Sequence, residues 1–200
     1  MTDVLPPTPE GLARAAGLLR AGDAVAFPTD TVYGVGVSAA YPERLAALFE
    51  LKHRPLDRRI PILVTGLSDL DPAAFVVDDR ARRVAERFWP GALTIVLPAV
   101  DGTTQAFRAP DHPVALDLIR AAGPIFTTSA NLSDQPDTLG ADEVLIAFAT
   151  DQDGLAAVVD GGPVPGGVPS TVLDLGVTPA RILRQGPVTA EQLAGAVEIG

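Results

Sequence analysis

Apolar residues recur along the chain with two different periods. Leu12, Ala15, Ala16 and Leu19 stand at helical spacing. They follow Thr8-Pro9-Glu10, an N-cap, a proline at the first helical position and an acid in the first turn. Gly22 supplies the stop. The same reasoning predicts helices over 42–51, 78–88, 113–122, 141–149 and 189–197. Short apolar runs predict strands at 24–27, 60–64, 92–97, 105–109, 125–128, 155–159, 171–175 and 181–183. The stretch 28–36 reads as a loop with polar groups and two glycines. The stretch 160–169, with four glycines and three prolines in ten residues, is too broken for an element and reads as a flexible loop flanking a site.

Helices and strands alternate with short links, which implies an α/β fold around one sheet. The links 97–105 and 175–181 are too short for a crossover helix. Those strand pairs are therefore expected antiparallel and the sheet mixed. No internal repeat or domain linker is visible, so residues 1–200 are expected to form a single domain.

Composition narrows the chemistry. At 47% hydrophobic residues the chain can build a core. It has no cysteine, which removes disulfides, thiolate zinc sites and cysteine nucleophiles. There is no signal-peptide pattern and no apolar run of membrane-spanning length, so a cytoplasmic protein without membrane partners is expected. A net charge of −10 opposes indiscriminate nucleic-acid binding. Against that background Lys52, His53, Arg54, Arg58 and Arg59 cluster at the end of a predicted helix, and Lys52 is the only lysine in the chain. The cluster reads either as a solvated turn or as a local anion site. No phosphate loop of the G-x-x-x-x-G-K-[ST] type occurs, and Gly34-Val35-Gly36 lacks the third glycine of a dinucleotide fingerprint. His53 and His112 are far apart and suggest neither a triad nor a transition-metal site.

Several segments together resemble one family. They are Pro28-Thr29-Asp30-Thr31-Val32-Tyr33-Gly34, Lys52-His53-Arg54-Pro55 with Ile60-Pro61-Ile62, Trp89-Pro90-Gly91 with Leu93-Thr94, Ser129-Ala130-Asn131-Leu132-Ser133, Pro169-Ser170-Thr171-Val172, and Arg184-Gln185-Gly186. In this order and over nearly the whole chain they are similar to the motifs of the YrdC/TsaC-type threonylcarbamoyl-AMP synthases. The resemblance implies a twisted mixed sheet with flanking helices around a concave, positively charged cavity. It also implies the reaction: the amine of L-threonine captures bicarbonate or CO2 as a carbamate, which attacks the α-phosphorus of ATP and releases pyrophosphate. A separate tRNA threonylcarbamoyl-transfer complex then uses the product.

By the same resemblance Lys52, Arg54, Ser129 and Asn131 form the catalytic set. Thr29, Thr31, Tyr33 and Arg108 face threonine. Arg58, Thr127, Ser170 and Arg184 join the catalytic set around ATP, whose Mg2+ is carried by the nucleotide rather than by a protein site. Adenylyl transfer suits these residues, since it needs alignment and charge stabilisation more than a covalent catalyst. Taken alone, Ser129 and Asn131 would be turn or cap residues, Thr29 and Thr31 turn chemistry, and Arg108 a surface ion pair. Asp30 reads equally as a group that orients the substrate amine, as a neighbour of the magnesium, or as a loop cap, and Trp89 reads as the anchor of a turn. The chain departs from the family pattern at Arg58, Arg59, Thr65 and Asp134; Thr65 stands where longer members place a histidine. Those longer members carry a further C-terminal domain, and this chain is expected to be the single-domain form. Competing readings are a double-stranded-RNA-binding module, a carbamoyl-transfer paralogue, and an ATPase of unrelated fold.

Overall fold

The computed structural model describes residues 2–53, 60–133, 135–149, 154–166 and 168–200. The predicted loops around Arg54, Arg58, Arg59 and Asp134 lie outside the described residues. The described chain forms one ten-stranded sheet flanked by six α-helices. In chain order these are β1 (Asp3–Leu5), α1 (Pro9–Ala21), β2 (Ala24–Phe27), β3 (Gly34–Ser38), α2 (Leu45–Leu51), β4 (Ile62–Leu63), α3 (Asp79–Phe88), β5 (Leu93–Pro98), β6 (Thr104–Arg108), α4 (Pro113–Ala122), β7 (Ile125–Ser129), α5 (Ala141–Ala147), β8 (Leu155–Val159), β9 (Thr171–Asp174), β10 (Arg181–Arg184) and α6 (Ala190–Ala194). Across the sheet they run β1-β8-β2-β3-β7-β4-β6-β5-β9-β10. The pairs β5–β6 and β9–β10 are antiparallel, as the short links require, while β1–β8, β2–β8, β4–β6 and β5–β9 are parallel.

The helix ends follow the expected local chemistry. The Thr8 side chain accepts from Gly11 N–H, and Gly22 closes α1 in the left-handed region at φ 90°. Asp78 caps α3 by accepting from Ala81 N–H, and Thr189 with Gln192 forms a capping box on α6. Two strands differ from the sequence reading. β1 is a three-residue edge strand, too short to show a period. β3 occupies part of the predicted loop, and its glycines lie against β7: a Cβ on Gly36 would stand 2.4 Å from the Phe126 carbonyl oxygen. Close approach of two backbones, not β-propensity, selects glycine there. Residues 160–166 after β8 are irregular, and they are tied to the body where Tyr33 donates to the Gly162 carbonyl at 2.8 Å and Val164 N–H donates to the Leu139 carbonyl at 2.9 Å.

The two halves of the sheet are covered differently. Over the first half, α1 and α4 pack on one face through Ala15, Leu19, Leu118 and Ile119 against Val25, Phe27 and Ile125. Helices α2 and α5 pack on the other face against Ala24, Ala26, Val35 and Val37. Over the second half, α3 and α6 cover the face presented by Leu93, Ile95, Leu97, Phe107 and Leu173. The opposite face of those strands presents Thr94, Val96, Ala106, Arg108 and Val172, because side chains alternate along a strand. Among the described residues no helix covers it, and that bare face is the floor of a pocket.

Candidate active site

The pocket has a volume of about 550 Å3. Its floor comes from β5, β6 and β9, and its rims from the β2–β3 turn, the end of β7, Asp137 and the Ser170–Arg184 region. Sequence-distant motifs thus meet because the strand order interleaves them. Glycine again allows the approach, since a Cβ on Gly34 would meet Thr127 Cγ2 at 2.8 Å.

On the β2–β3 side, Thr29 organises the turn. Its hydroxyl donates to the Val32 carbonyl at 2.7 Å and accepts the N–H groups of Thr31 and Val32. Its one proton is thereby used, so Thr31 donates in the 3.1 Å hydroxyl pair between them. The Thr31 oxygen accepts from Arg108 Nη1 at 3.1 Å. Arg108 Nε donates to the Gly91 carbonyl at 3.0 Å, and Nη2 pairs with Asp30 Oδ1 at 2.6 Å. The Trp89-Pro90-Gly91 turn places that carbonyl. Partly buried Trp89 donates to the Leu93 carbonyl at 2.7 Å, and Gly91 N–H donates to Ala109 at 2.8 Å.

Across the pocket Arg184 grips Ser170. Its Nε and Nη2 reach the Ser170 carbonyl at 3.1 and 2.8 Å, and Nη2 reaches the Ser170 hydroxyl at 3.2 Å. The Ser170 hydroxyl meets Thr94 Oγ1 at 2.8 Å. Burial holds the Arg184 pKa below the usual arginine range, the Arg108 charge lowers it further, and Asp137 opposes both. Two guanidinium groups therefore share one pocket and feel each other.

At the end of β7, Ser129 Oγ donates to Asn131 Oδ1 at 2.6 Å, which also accepts from Lys52 Nζ at 3.1 Å. Lys52 Nζ bonds the Ser129 carbonyl as well. Ser129 is on the pocket wall; Lys52 and Asn131, 2% and 6% exposed, stand behind it. The structure therefore joins Lys52, Ser129 and Asn131 in one network, with the lysine holding the turn from inside. Thr29, Thr31, Thr127, Ser170, Arg108 and Arg184 all line the pocket. Tyr33 does not: it is fully buried in the core, where its aromatic ring packs and its hydroxyl bonds Gly162, so it anchors the 160–166 stretch rather than facing the pocket. Burial, with the Asp160 charge, raises its pKa, so the hydroxyl stays a donor. Thr65 bonds Asp69 Oδ2 through its N–H and its hydroxyl and is not on the wall. Arg54 and Arg58 lie outside the described residues. Sequence reasoning set Asp30 aside and missed Thr94, Asp137 and Asp174 as wall residues. Thr94 stood inside a quoted motif; Asp137 and Asp174 carried no local signal.

The model of the Sua5/YciO/YrdC family, described as telomere recombination, matches residues 17–186. The chain belongs to the Sua5/YciO/YrdC family. A Bacillus subtilis member of that family, a threonylcarbamoyl-AMP synthase, is 40% identical over 98% of this chain and 59% of its own length. A Mycobacterium tuberculosis relative is 37% identical over 92% of this chain and 88% of its own. The crystal structure of Pyrococcus abyssi Sua5 complexed with L-threonine superposes with a TM-score of 0.89 at 34% identity, covering 100% of this chain and 62% of that one. The chain thus spans about three-fifths of the Bacillus and Pyrococcus family members.

Proposed function

We propose that this chain is a threonylcarbamoyl-AMP synthase that joins L-threonine, bicarbonate or CO2, and ATP, releasing pyrophosphate. The observation that carries the reading is the pair Arg108 and Arg184, both lining one pocket and each fixed by its own set of acceptors. Like charges held together favour an anion between them, and both the threonine carboxylate and the ATP phosphates are anions. The names of the Bacillus and Pyrococcus relatives, and the threonine in the Pyrococcus complex, support the same substrates.

In this reading Arg108 and the Thr31 edge take threonine. Arg184, Ser170 and Thr127 face ATP, and the family resemblance adds Arg54 and Arg58 as ATP-binding residues. Ser129 stands on the pocket wall beside the β2–β3 turn, opposite Gly34 in the β3–β7 pairing. Its proton is committed to Asn131, so its oxygen is an acceptor for an N–H of threonine or of the carbamate. Lys52 and Asn131 hold Ser129 in place. The carbamate forms from threonine's neutral amine, and its oxygen attacks the α-phosphorus while pyrophosphate leaves. The protein's part is alignment and charge stabilisation. Mg2+ belongs to this scheme as part of MgATP. Among the described residues no group of three or more His, Asp or Glu side chains is placed to hold a metal, and phosphate oxygens with water can complete an octahedral shell. In this reading the product passes to a tRNA threonylcarbamoyl-transfer complex, and a cytoplasmic location is part of the proposal. No helix among the described residues is long and apolar enough to cross a membrane.

The test is pyrophosphate release from MgATP with threonine and bicarbonate omitted in turn. Release that needs both, and falls by about two orders of magnitude or more in Lys52→Ala, is expected. Release indifferent to threonine from folded protein would remove the synthase reading.

A further inference from the structure

Arg108 ends β6, where a long side chain ordinarily samples many rotamers. Three acceptors hold it: the Gly91 carbonyl, the Thr31 hydroxyl and the Asp30 carboxylate. A guanidinium has five N–H groups, so two remain without a partner among the described residues. Of the three acceptors, only Asp30 is charged. Its 2.6 Å pair with Arg108 is 9% exposed on the arginine side and 15% on the aspartate side. Charge-assisted bonds are the stronger kind, and burial removes most of the salt screening that weakens surface pairs. Asp30 and Thr31 are consecutive, so the β2–β3 turn grips one edge of the guanidinium plane while Gly91 grips another. The aspartate also sets a negative charge beside the arginine that Arg184 faces.

We propose that Asp30 is the positioning residue of the amino-acid subsite, fixing the plane of the Arg108 guanidinium so that its two remaining N–H groups meet the substrate carboxylate. The inference rests on the reading of this pocket as the substrate site. Asp30 itself does not touch the substrate; it acts through Arg108. Exchange of Asp30 for asparagine keeps the size and removes the charge, leaving the guanidinium free to turn away.

The test uses the full chain as Asp30→Asn, Asp30→Glu, Arg108→Lys and the Asp30→Asn/Arg108→Lys pair. One arm needs no substrate. The Arg108 Nε–H proton resonance, assigned by its loss in Arg108→Lys, is expected to exchange with solvent about tenfold faster in Asp30→Asn than in wild type. The other arm is kinetic. Asp30→Asn is expected to raise the KM for L-threonine roughly tenfold to a hundredfold with kcat changed by about threefold at most. In the Arg108→Lys background the same exchange is expected to change KM by about twofold at most, because the two residues act as a unit. Asp30→Glu keeps the charge and is expected to hold both measures within about threefold of wild type; Asp30→Ser, which also removes the charge and is expected to behave as Asp30→Asn, carries the test if the asparagine variant does not fold. Unchanged Arg108 exchange in Asp30→Asn, or a KM penalty that persists in full without Arg108, overturns the proposal. Wild-type protein with no threonine-dependent turnover would overturn the activity reading instead, while the resonance arm still decides the role of Asp30.

Discussion

His112, at the start of α4, has an Nδ1 atom that is buried with no hydrogen-bond partner among the described residues. Burial disfavours its charged form and lowers its pKa, and the nearby charges of Asp30 and Asp111 offset only part of that. As pH falls, the unfolded chain takes up the proton before the folded one does. The contribution of His112 to stability is therefore whole above the ordinary histidine range and is lost as pH falls through the depressed folded value. Thermal melts between about pH 7.5 and about pH 5 are expected to show a smaller loss of stability in His112→Gln than in wild type; an identical slope would assign the loss to other groups. Single residues were unevenly legible in the sequence. Ser170 and Arg184 were found because each sits in a short motif, and Arg108 through the family resemblance alone; the structure places all three on one pocket. Tyr33 sat in such a motif too, yet it faces the core, because a motif fixes which residues are present and not which way each points. The Asp30–Arg108 pair joins positions that no local pattern connects.

Among the elements, the chain after β10 shows how one position governs a site it does not enter. Gly186 passes so close over Ser170 that an added Cβ would stand 2.4 Å from both the Pro169 carbonyl oxygen and Thr171 N. Thr171 Oγ1 secures this crossing by accepting N–H groups from Gly186 and Val188 and donating to the Val188 carbonyl. All the near atoms belong to backbone, so no side chain can give way. Gly186→Ala is expected to cost about 1–3 kcal/mol of stability and to weaken ATP binding more than threonine binding, because the displaced segment carries Arg184 away from Ser170. Calorimetric titration of each ligand checks this; equal losses for both would place the effect on the whole fold. Most elements were legible in the hydrophobic pattern, since helices with a buried stripe and strands of four or more residues carry a period. β3 was not, because the requirement at Gly34 and Gly36 comes from a neighbouring strand nearly a hundred residues away, and glycine in isolation reads as loop.

At the scale of the whole molecule, the sequence indicated a mixed sheet but could not show that, among the described residues, helices cover only one face of its second half. Strand order decides that, and order is set by long-range pairing. The consequence is measurable. A ligand that binds the folded state alone stabilises it by about 2.7 kcal/mol at a hundredfold excess over Kd, which for a chain of this size is roughly 5–10 °C in Tm. MgATP with threonine is expected to give a shift of that order, and Arg184→Ala to abolish the part due to ATP. A ligand effect surviving intact in that variant would move the nucleotide away from Ser170.

The bare face of β5, β6 and β9 carries a further meaning. An α/β domain ordinarily closes both sides of its sheet with its own helices. Here Val96, Ala106 and Val172 share that floor with Thr94 and Arg108, and half-exposed Leu183 stands at its edge. In the proposed function the nucleotide and the amino acid form that missing layer, arriving from solution and leaving at each turnover. On that reading the sheet is least complete between catalytic cycles, when its second face meets only water.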